Sequence, residues 1–269
     1  MGRPAYLSIL RWPDGSTDAS NAAALAVALG IGPRPAARAV APPPPAIVAR
    51  IPAEVAPRAL NALRGGGVVA IAPTLDDLAA APPARKVKAL TPAEGAPEPM
   101  YLAEFWTGDA AGFRARDIAI MIRARLDDAP RRLAPAPTPS RPDAATPPSE
   151  PIRTARPITE VLDLVLTGGD RLRIDGDKFG FAVLGPDRAL SNVECMDRLA
   201  VRLAGEAPDA LIDTAFGAFK VPAGVVNKFD AASRRSRERL RGDTPAFDFY
   251  SAWIVLALRE LAHPTPAAR

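Results

Sequence analysis

Apolar side chains recur along this chain at two spacings, and the points where the spacing changes mark its elements. Tyr6 to Trp12 alternates, with Leu7 and Ile9 on one face and Pro13-Asp14-Gly15 as a stop, which predicts a strand. Ala22, Leu25, Ala26 and Leu29 then fall at helical spacing behind Asp18 or Ser20 as cap, and Gly30-Ile31-Gly32 ends that helix. Pro33 suits the first turn of a second, short helix to Val40. Ala46 to Ile51 reads as a strand. Ala53 to Arg64 reads as a helix with Val55, Ala59, Leu60 and Leu63 inward. Pro57 belongs in its first turn, because an interior proline costs about 3 kcal/mol. Gly65-Gly66-Gly67 breaks this helix, and Val68 to Ala72 supplies a further strand.

The texture changes after a short helix or turn at Thr74 to Ala81. Arg85–Leu90, Met100–Trp106, Ile118–Leu126, Glu160–Thr167, Arg171–Ile174 and Phe179–Leu184 are each β-like. Ile118, Ile120 and Ile122 at period two favour strand over helix there. Gly168-Gly169-Asp170 and Asp175-Gly176-Asp177 are turn signals between strands. Ser191 to Leu203 has the clearest helical pattern: Ser191 and Glu194 stand at capping-box spacing before a stripe of Val193, Met196, Leu199, Ala200 and Leu203. Ala210 to Phe219 is apolar and expected to be buried, and Ala231 to Arg241 is a polar helix or turn. Phe247 to Leu261 should hold a terminal helix from about Ser251.

Between these patterns lies a stretch, residues 129–157, in which nine residues are proline and only Leu133 and Ile152 are large aliphatics. It offers too little apolar surface to offset the entropy of ordering, so the composition predicts disorder. It is either an insertion within one domain or an interdomain linker. Lengthening a turn from ~4 to ~30 residues adds roughly 2 kcal/mol of closure entropy, which an insertion between two strands tolerates. The expected fold class is α+β. A small N-terminal β-α-α-β-α-β module (1–75) precedes an antiparallel β-rich domain with C-terminal helices (76–128 plus 158–269), interrupted by the Pro-rich stretch (129–157).

The order of elements between Tyr6 and Ala72 carries a likeness. Gly30, Ala37, Val40, Val48, Pro52, Glu54, Ala56, Leu60, Leu63, Gly67 and Val68 stand where the C-terminal domain of the bacterial ribosomal stalk protein has its characteristic residues. The segment resembles that domain, and it is similar in plan to the ClpS adaptor. The resemblance implies that fold and a tendency to bind other proteins. The stalk family's factor-contacting lysines have only Arg34 and Arg38 in their place, so stalk function is not implied. From Arg85 to the helix after Ser191, the order of strands and helix resembles a pleckstrin-homology-like β-barrel in element order alone.

Composition narrows the chemistry. The net charge is only +4 although the pI is near 9.6, because arginine far outnumbers the five lysines. An excess of Arg, Ala, Pro and Gly is also what a GC-rich genome encodes, so basicity by itself does not specify nucleic acid. Cys195 is the single cysteine, which excludes an intrachain disulfide and a CxxC metal site. The start lacks a signal-peptide core, and the longest apolar run is far short of the ~20 residues that span a bilayer, so a cytoplasmic, bacterial-type protein away from membranes is expected.

Candidate catalytic groups are sparse. His263 is the single histidine and sits beside Pro264 near the end, where no partner is positioned to orient it as a base. Cys195 lies in the first turn of its helix without a histidine nearby. Gly30-x-Gly32 and Gly65-Gly66-Gly67 lack phosphate-loop spacing and read as helix ends. Asp175 and Asp177 flank a glycine without the bidentate glutamate of a calcium loop. Asp163 and Asp213 lie within apolar runs, and nothing in the sequence brings them together. Phe247, Phe249, Tyr250 and Trp253 read as a terminal helix docking on its own core rather than a partner surface. Arg234, Arg235, Arg237, Arg239 and Arg241 form the densest cationic run, a candidate surface for anions or an acidic partner. The expectation is a non-catalytic interaction or regulatory protein with no cofactor or metal and another protein as partner. The alternative is a nucleic-acid- or ribosome-associated protein using the arginine surface, and an enzyme of unfamiliar type stands third.

Overall fold

A computed structural model of the chain describes residues 3–127, 158–220, 222 and 243–263. They divide into two compact units, each taken by itself below. The protein is α+β, with helices, antiparallel pairings and a mixed sheet.

The first unit begins with β1 (Pro4–Arg11), α1 (Asp18–Leu29), α2 (Pro33–Val40), β2 (Ala46–Pro52), α3 (Ala56–Gly65), β3 (Val69–Ile71) and a short α4 (Leu75–Ala79). This is the expected β-α-α-β-α-β order. Thr17, and not Asp18 or Ser20, caps α1: its hydroxyl accepts from the Ser20 amide while the Ser20 hydroxyl accepts from the Thr17 amide. Gly30 closes α1 at φ 64°, a left-handed conformation that glycine adopts without strain. Pro57 does fall in the first turn of α3. Val55 is the residue before that helix and is exposed, so it does not join the inward stripe.

The three strands pair antiparallel in the order β2-β1-β3. The central β1 is buried on both faces. Ala5, Leu7 and Ile9 form a core with Leu25 of α1, Ala59 and Leu63 of α3, and Val68. Tyr6, Ser8 and Leu10 point to the opposite face and are equally buried.

The second unit contains β4 (Arg85–Pro92), β5 (Met100–Phe105), β6 (Ala110–Arg114), β7 (Ile118–Asp127), β8 (Ile158–Leu166), β9 (Arg171–Asp175), α5 (Asn192–Glu206) and β10 (Leu211–Asp213). Its seven strands run in the order β10-β7-β8-β9-β4-β5-β6. Two pairings, β4 with β9 and β10 with β7, are parallel. The expected antiparallel domain is therefore a mixed sheet. Strand β7 pairs with β8 from Ile118↔Leu166 to Asp127↔Ile158, so residues 128–157 join two neighbouring strands of one sheet.

Three local expectations change. Phe179–Leu184 is not a strand: Phe181–Asp187 makes 3-10 turns broken at Gly185, whose φ is 53°, and only Gly180 bridges to Ala89. Ala210–Phe219 is largely outside the core, since Leu211 and Ile212 lie on a three-residue edge strand at 47% and 61% exposure, and Phe216 is its buried large side chain. Strand β6 was not anticipated, because Ala110-Ala111-Gly112 has little β propensity. One face of the sheet packs on α5, with Met121, Leu162, Leu164, Leu172 and Ile174 against Cys195, Met196, Leu199 and Leu203. Ser191 caps α5 by accepting from the Glu194 amide, whereas Val193 is exposed.

The last helix, α6 (Thr244–Ala262), starts well before Ser251. Phe247 belongs to the second unit, where it meets Phe216 edge-on and lies under the Arg173 guanidinium. From Asp248 onward the helix belongs to the first unit, and not to the second domain in which its sequence position placed it. The reason is the unanswered face of β1. The Trp253 indole N–H donates to Ser8 Oγ at 2.9 Å, Phe249 meets Tyr6 edge-on at 5.5 Å, and Glu260 pairs with Arg64 at 3.1 Å.

Candidate functional site

The arginines at 234, 235, 237, 239 and 241 lie outside the described residues. His263 follows α6 and is exposed. Cys195 is buried, and its thiol donates to the Ala189 carbonyl at 3.4 Å, as expected of a packed residue. Asp175 accepts from the Asp177 amide within the turn after β9. Gly30 and Gly67 occupy positive φ at helix ends. Phe247, Phe249, Tyr250 and Trp253 are buried and serve as core. Among the described residues, no group of three His, Cys, Asp or Glu side chains is placed to hold a metal ion. No helix among them is long and apolar enough to cross a membrane.

Asp163 and Asp213 do share a face, since both lie opposite Ile122, one on β8 and one on β10. Two strand spacings, about 10 Å, separate them, too far for a shared proton. Asp163 is fully buried and held by Arg173 through bonds of 2.6 and 2.7 Å, with Arg171 at 3.4 Å. Glu160, on the other face of β8, is likewise buried and gripped by Arg123 at 3.0 Å and by Arg125. Both carboxylates are held in charge-assisted bonds by guanidinium groups.

A cavity of about 290 Å³ lies beside the β4–β5 connection, lined by Pro92, Pro97, Glu98, Tyr101, Arg202 and Glu206. Its polar groups already have partners. The Tyr101 hydroxyl donates to Glu206, Arg202 donates to Glu206 at 3.1 Å and to the Val183 carbonyl at 2.8 Å, and Glu98 pairs with Arg116 at 2.7 Å. Burial, and then the hydrogen bond to Glu206, hold the Tyr101 hydroxyl well above its ordinary pKa, so it stays protonated at neutral pH.

The arrangement that stands out is the outer face of β4, β5 and β6. Alternation on β5 sends Tyr101, Ala103 and Phe105 into the core and Leu102 and Glu104 outward. Trp106 continues the outward series, its amide bonded to the Lys86 carbonyl of β4 at 3.1 Å. Leu102 is 48% exposed and Trp106 is 53% exposed. Across the pair, Leu102 faces Gly112 and Glu104 faces Ala110, so β6 places almost no side chain beside them. Lys86, Lys88 and Arg114 are exposed here; Lys88 reaches Glu104 at 3.4 Å. At the hairpin end Arg85 pairs with Asp109, whose carboxyl the Thr107 hydroxyl holds below the usual range. The face thus combines a half-exposed indole, an exposed leucine and a positive balance at the sheet's edge.

Sequence reasoning identified Met100–Trp106 as an aromatic strand but missed this face, because β6 was not recognised. The available signal was the register itself: with Tyr101, Ala103 and Phe105 inward, Leu102 must point out. Comparison with family models, with curated proteins and with solved structures finds no match to the chain.

Proposed function

We propose that this chain is a non-catalytic protein-interaction or regulatory protein, and that a partner protein docks on the outer face of β4–β6. The observation that carries this reading is the pair Leu102 and Trp106, both about half exposed on one sheet face. Tryptophan at an uncovered surface costs solvation of a large apolar ring, and it is the residue type most enriched at the energetic centre of protein interfaces. Lys86 and Lys88 on the neighbouring β4, and Arg114 at the far end of the face opposite Met100, supply a charged rim. The stalk- and ClpS-like plan of the first unit agrees with a binding role. Asp163, Glu160, Tyr101 and Cys195 are each bonded to a partner of their own (Arg173, Arg123, Glu206 and the Ala189 carbonyl), which supports the non-catalytic part.

The test is co-purification of the full chain from its native host as wild type, Trp106→Asp and Val201→Asp. Val201 is exposed on α5 and serves as control. A partner retained by wild type and Val201→Asp and lost by Trp106→Asp is expected. Identical partner sets for all three would overturn the reading.

A further inference from the structure

The bonds from the Phe105 amide to the Asp109 carbonyl and from the Ala115 amide to the Pro99 carbonyl frame the ladder between β5 and β6. Hydrogen-bonded pairs alternate in an antiparallel ladder, so Ala103↔Ala111 and Tyr101↔Phe113 are bonded pairs. Glu104↔Ala110, Leu102↔Gly112 and Met100↔Arg114 are the intervening ones. The backbone groups of Ala110, Gly112 and Arg114 consequently point away from the sheet. The Arg114 amide is taken by the Asp117 carboxylate at 3.2 Å. Beyond β6 the sheet has no further strand among the described residues.

Side chains shape the same edge. A methyl group on Gly112 would meet nothing closer than the Tyr101 carbonyl oxygen at 3.9 Å. With only a hydrogen at Gly112 and a methyl at Ala110, a slot one residue wide opens from the edge towards Leu102. Arg114 is the next outward residue along β6, exposed and without an ion pair among the described residues.

Resting on the interaction reading above, we propose that β6 accepts an extended peptide segment of a partner protein as an added strand. Its recognition element is a large aromatic residue opposite Gly112 and an acidic residue two positions away, opposite Arg114. The aromatic ring lies over the glycine against Leu102, as rings do over edge glycines. The carboxylate, on the same face by strand periodicity, meets the guanidinium. Backbone bonds to the outward groups of Ala110 and Gly112 supply affinity that does not depend on sequence. A second copy of this chain fits the edge less well, because antiparallel pairing of β6 with itself sets Gly112 against Gly112 and leaves the slot empty.

The experiment uses the full chain and a defined probe, acetyl-Thr-Asp-Thr-Phe-Thr-Val-amide, with Phe→Ala and Asp→Lys versions as controls. Binding is read by anisotropy of the labelled peptide and by amide NMR shifts. Saturable binding with shifts centred on Ala110 and Gly112 is expected. The Phe→Ala peptide should bind about tenfold more weakly, the effect of losing one desolvated aromatic anchor. Gly112→Pro removes an outward donor that the sheet does not use and should abolish binding. Gly112→Val keeps the donor but fills the slot, so it should bind both peptides equally; it serves if the proline variant melts early. Arg114→Glu should reverse the preference towards the Lys peptide. No saturation up to about 1 mM peptide, or undiminished binding by Gly112→Pro, overturns the proposal. So does sedimentation showing a wild-type dimer that Gly112→Pro converts to monomer, since a second copy then holds the edge. Failure here with a partner still lost on Trp106→Asp removes strand addition alone; loss of neither removes the interaction reading too.

Discussion

Replacing Trp253 should loosen β1 as well as the helix that carries the indole. Trp253 is 1% exposed, and Ser8, which accepts its N–H at 2.9 Å, is fully buried in the middle of the central strand. Trp253→Ala removes a buried aromatic and leaves a cavity, a change that costs about 3–5 kcal/mol. Trp253→Phe keeps most of the burial but loses the donor, so about 1–2 kcal/mol should go with the hydrogen bond. Ser8→Ala removes the acceptor and should cost a similar amount. The two single losses should not add: a cycle through Trp253→Phe and Ser8→Ala should return a coupling of about 1 kcal/mol. Hydrogen exchange read by mass spectrometry on the full chain supplies the location. Trp253→Ala should speed exchange in Pro4–Arg11 and in its neighbours Ala46–Pro52 and Val69–Ile71, through faster opening of that unit. Leu190→Ala, at a fully exposed position, should leave those segments unchanged. Unaltered exchange in Pro4–Arg11 in Trp253→Ala, or a coupling of zero, would refute the assignment of α6 to the second face of β1.

Three further outcomes follow from the second unit. Asp163→Asn removes the buried carboxylate that Arg173 and Arg171 hold and should lower stability by about 3–5 kcal/mol in urea titration, against no loss for Asp209→Asn in a solvent-exposed turn. Tyr101 has its pKa raised from 10.0 in the folded state, so below that value it contributes no pH dependence, and as pH climbs above it the unfolded chain releases a proton that the folded chain keeps. Stability should therefore fall in that alkaline window, and the wild-type denaturation midpoint should drop more steeply than that of Tyr101→Phe; parallel curves would contradict it. Cleavage at a protease site placed at Arg141 should leave the two pieces co-eluting on size exclusion, because β7 and β8 are paired along their length; two separately eluting folded pieces would contradict that.

Much of the secondary structure was legible in the sequence, and the reasons for the rest are physical. The first β-α-α-β-α-β run could be read because Gly30, Pro33, Pro57 and Gly67 mark its boundaries with backbone preferences that tertiary context does not override. Strand β7 was within reach because Ile118, Ile120 and Ile122 fall at period two, although a register shift between Ile118 and Ile120 turns Ile118 to the α5 face beside Met121. Two things were not legible. Phe179–Leu184 has strand-like composition, but turn chemistry at Gly185-Pro186 wins over it. The partner of α6 was hidden because an apolar helix advertises burial but not against what. On β1 the pattern assigned only Leu7 and Ile9 to a face; Tyr6 and Ser8 on the other are met by Phe249 and Trp253 of α6. The candidate face was hidden for a related reason: Ala110-Ala111-Gly112 is a strand by position, paired to β5, and not by propensity.

The central claim is that a partner protein covers Leu102 and Trp106. A photo-crosslinking residue placed at Leu102 in the full chain, activated in living cells of the native host, tests it most directly. The account predicts a discrete covalent adduct that is lost when Trp106→Asp is added and that does not form from the same residue placed at Val201. No adduct from Leu102, or the same adducts from both positions, would contradict it.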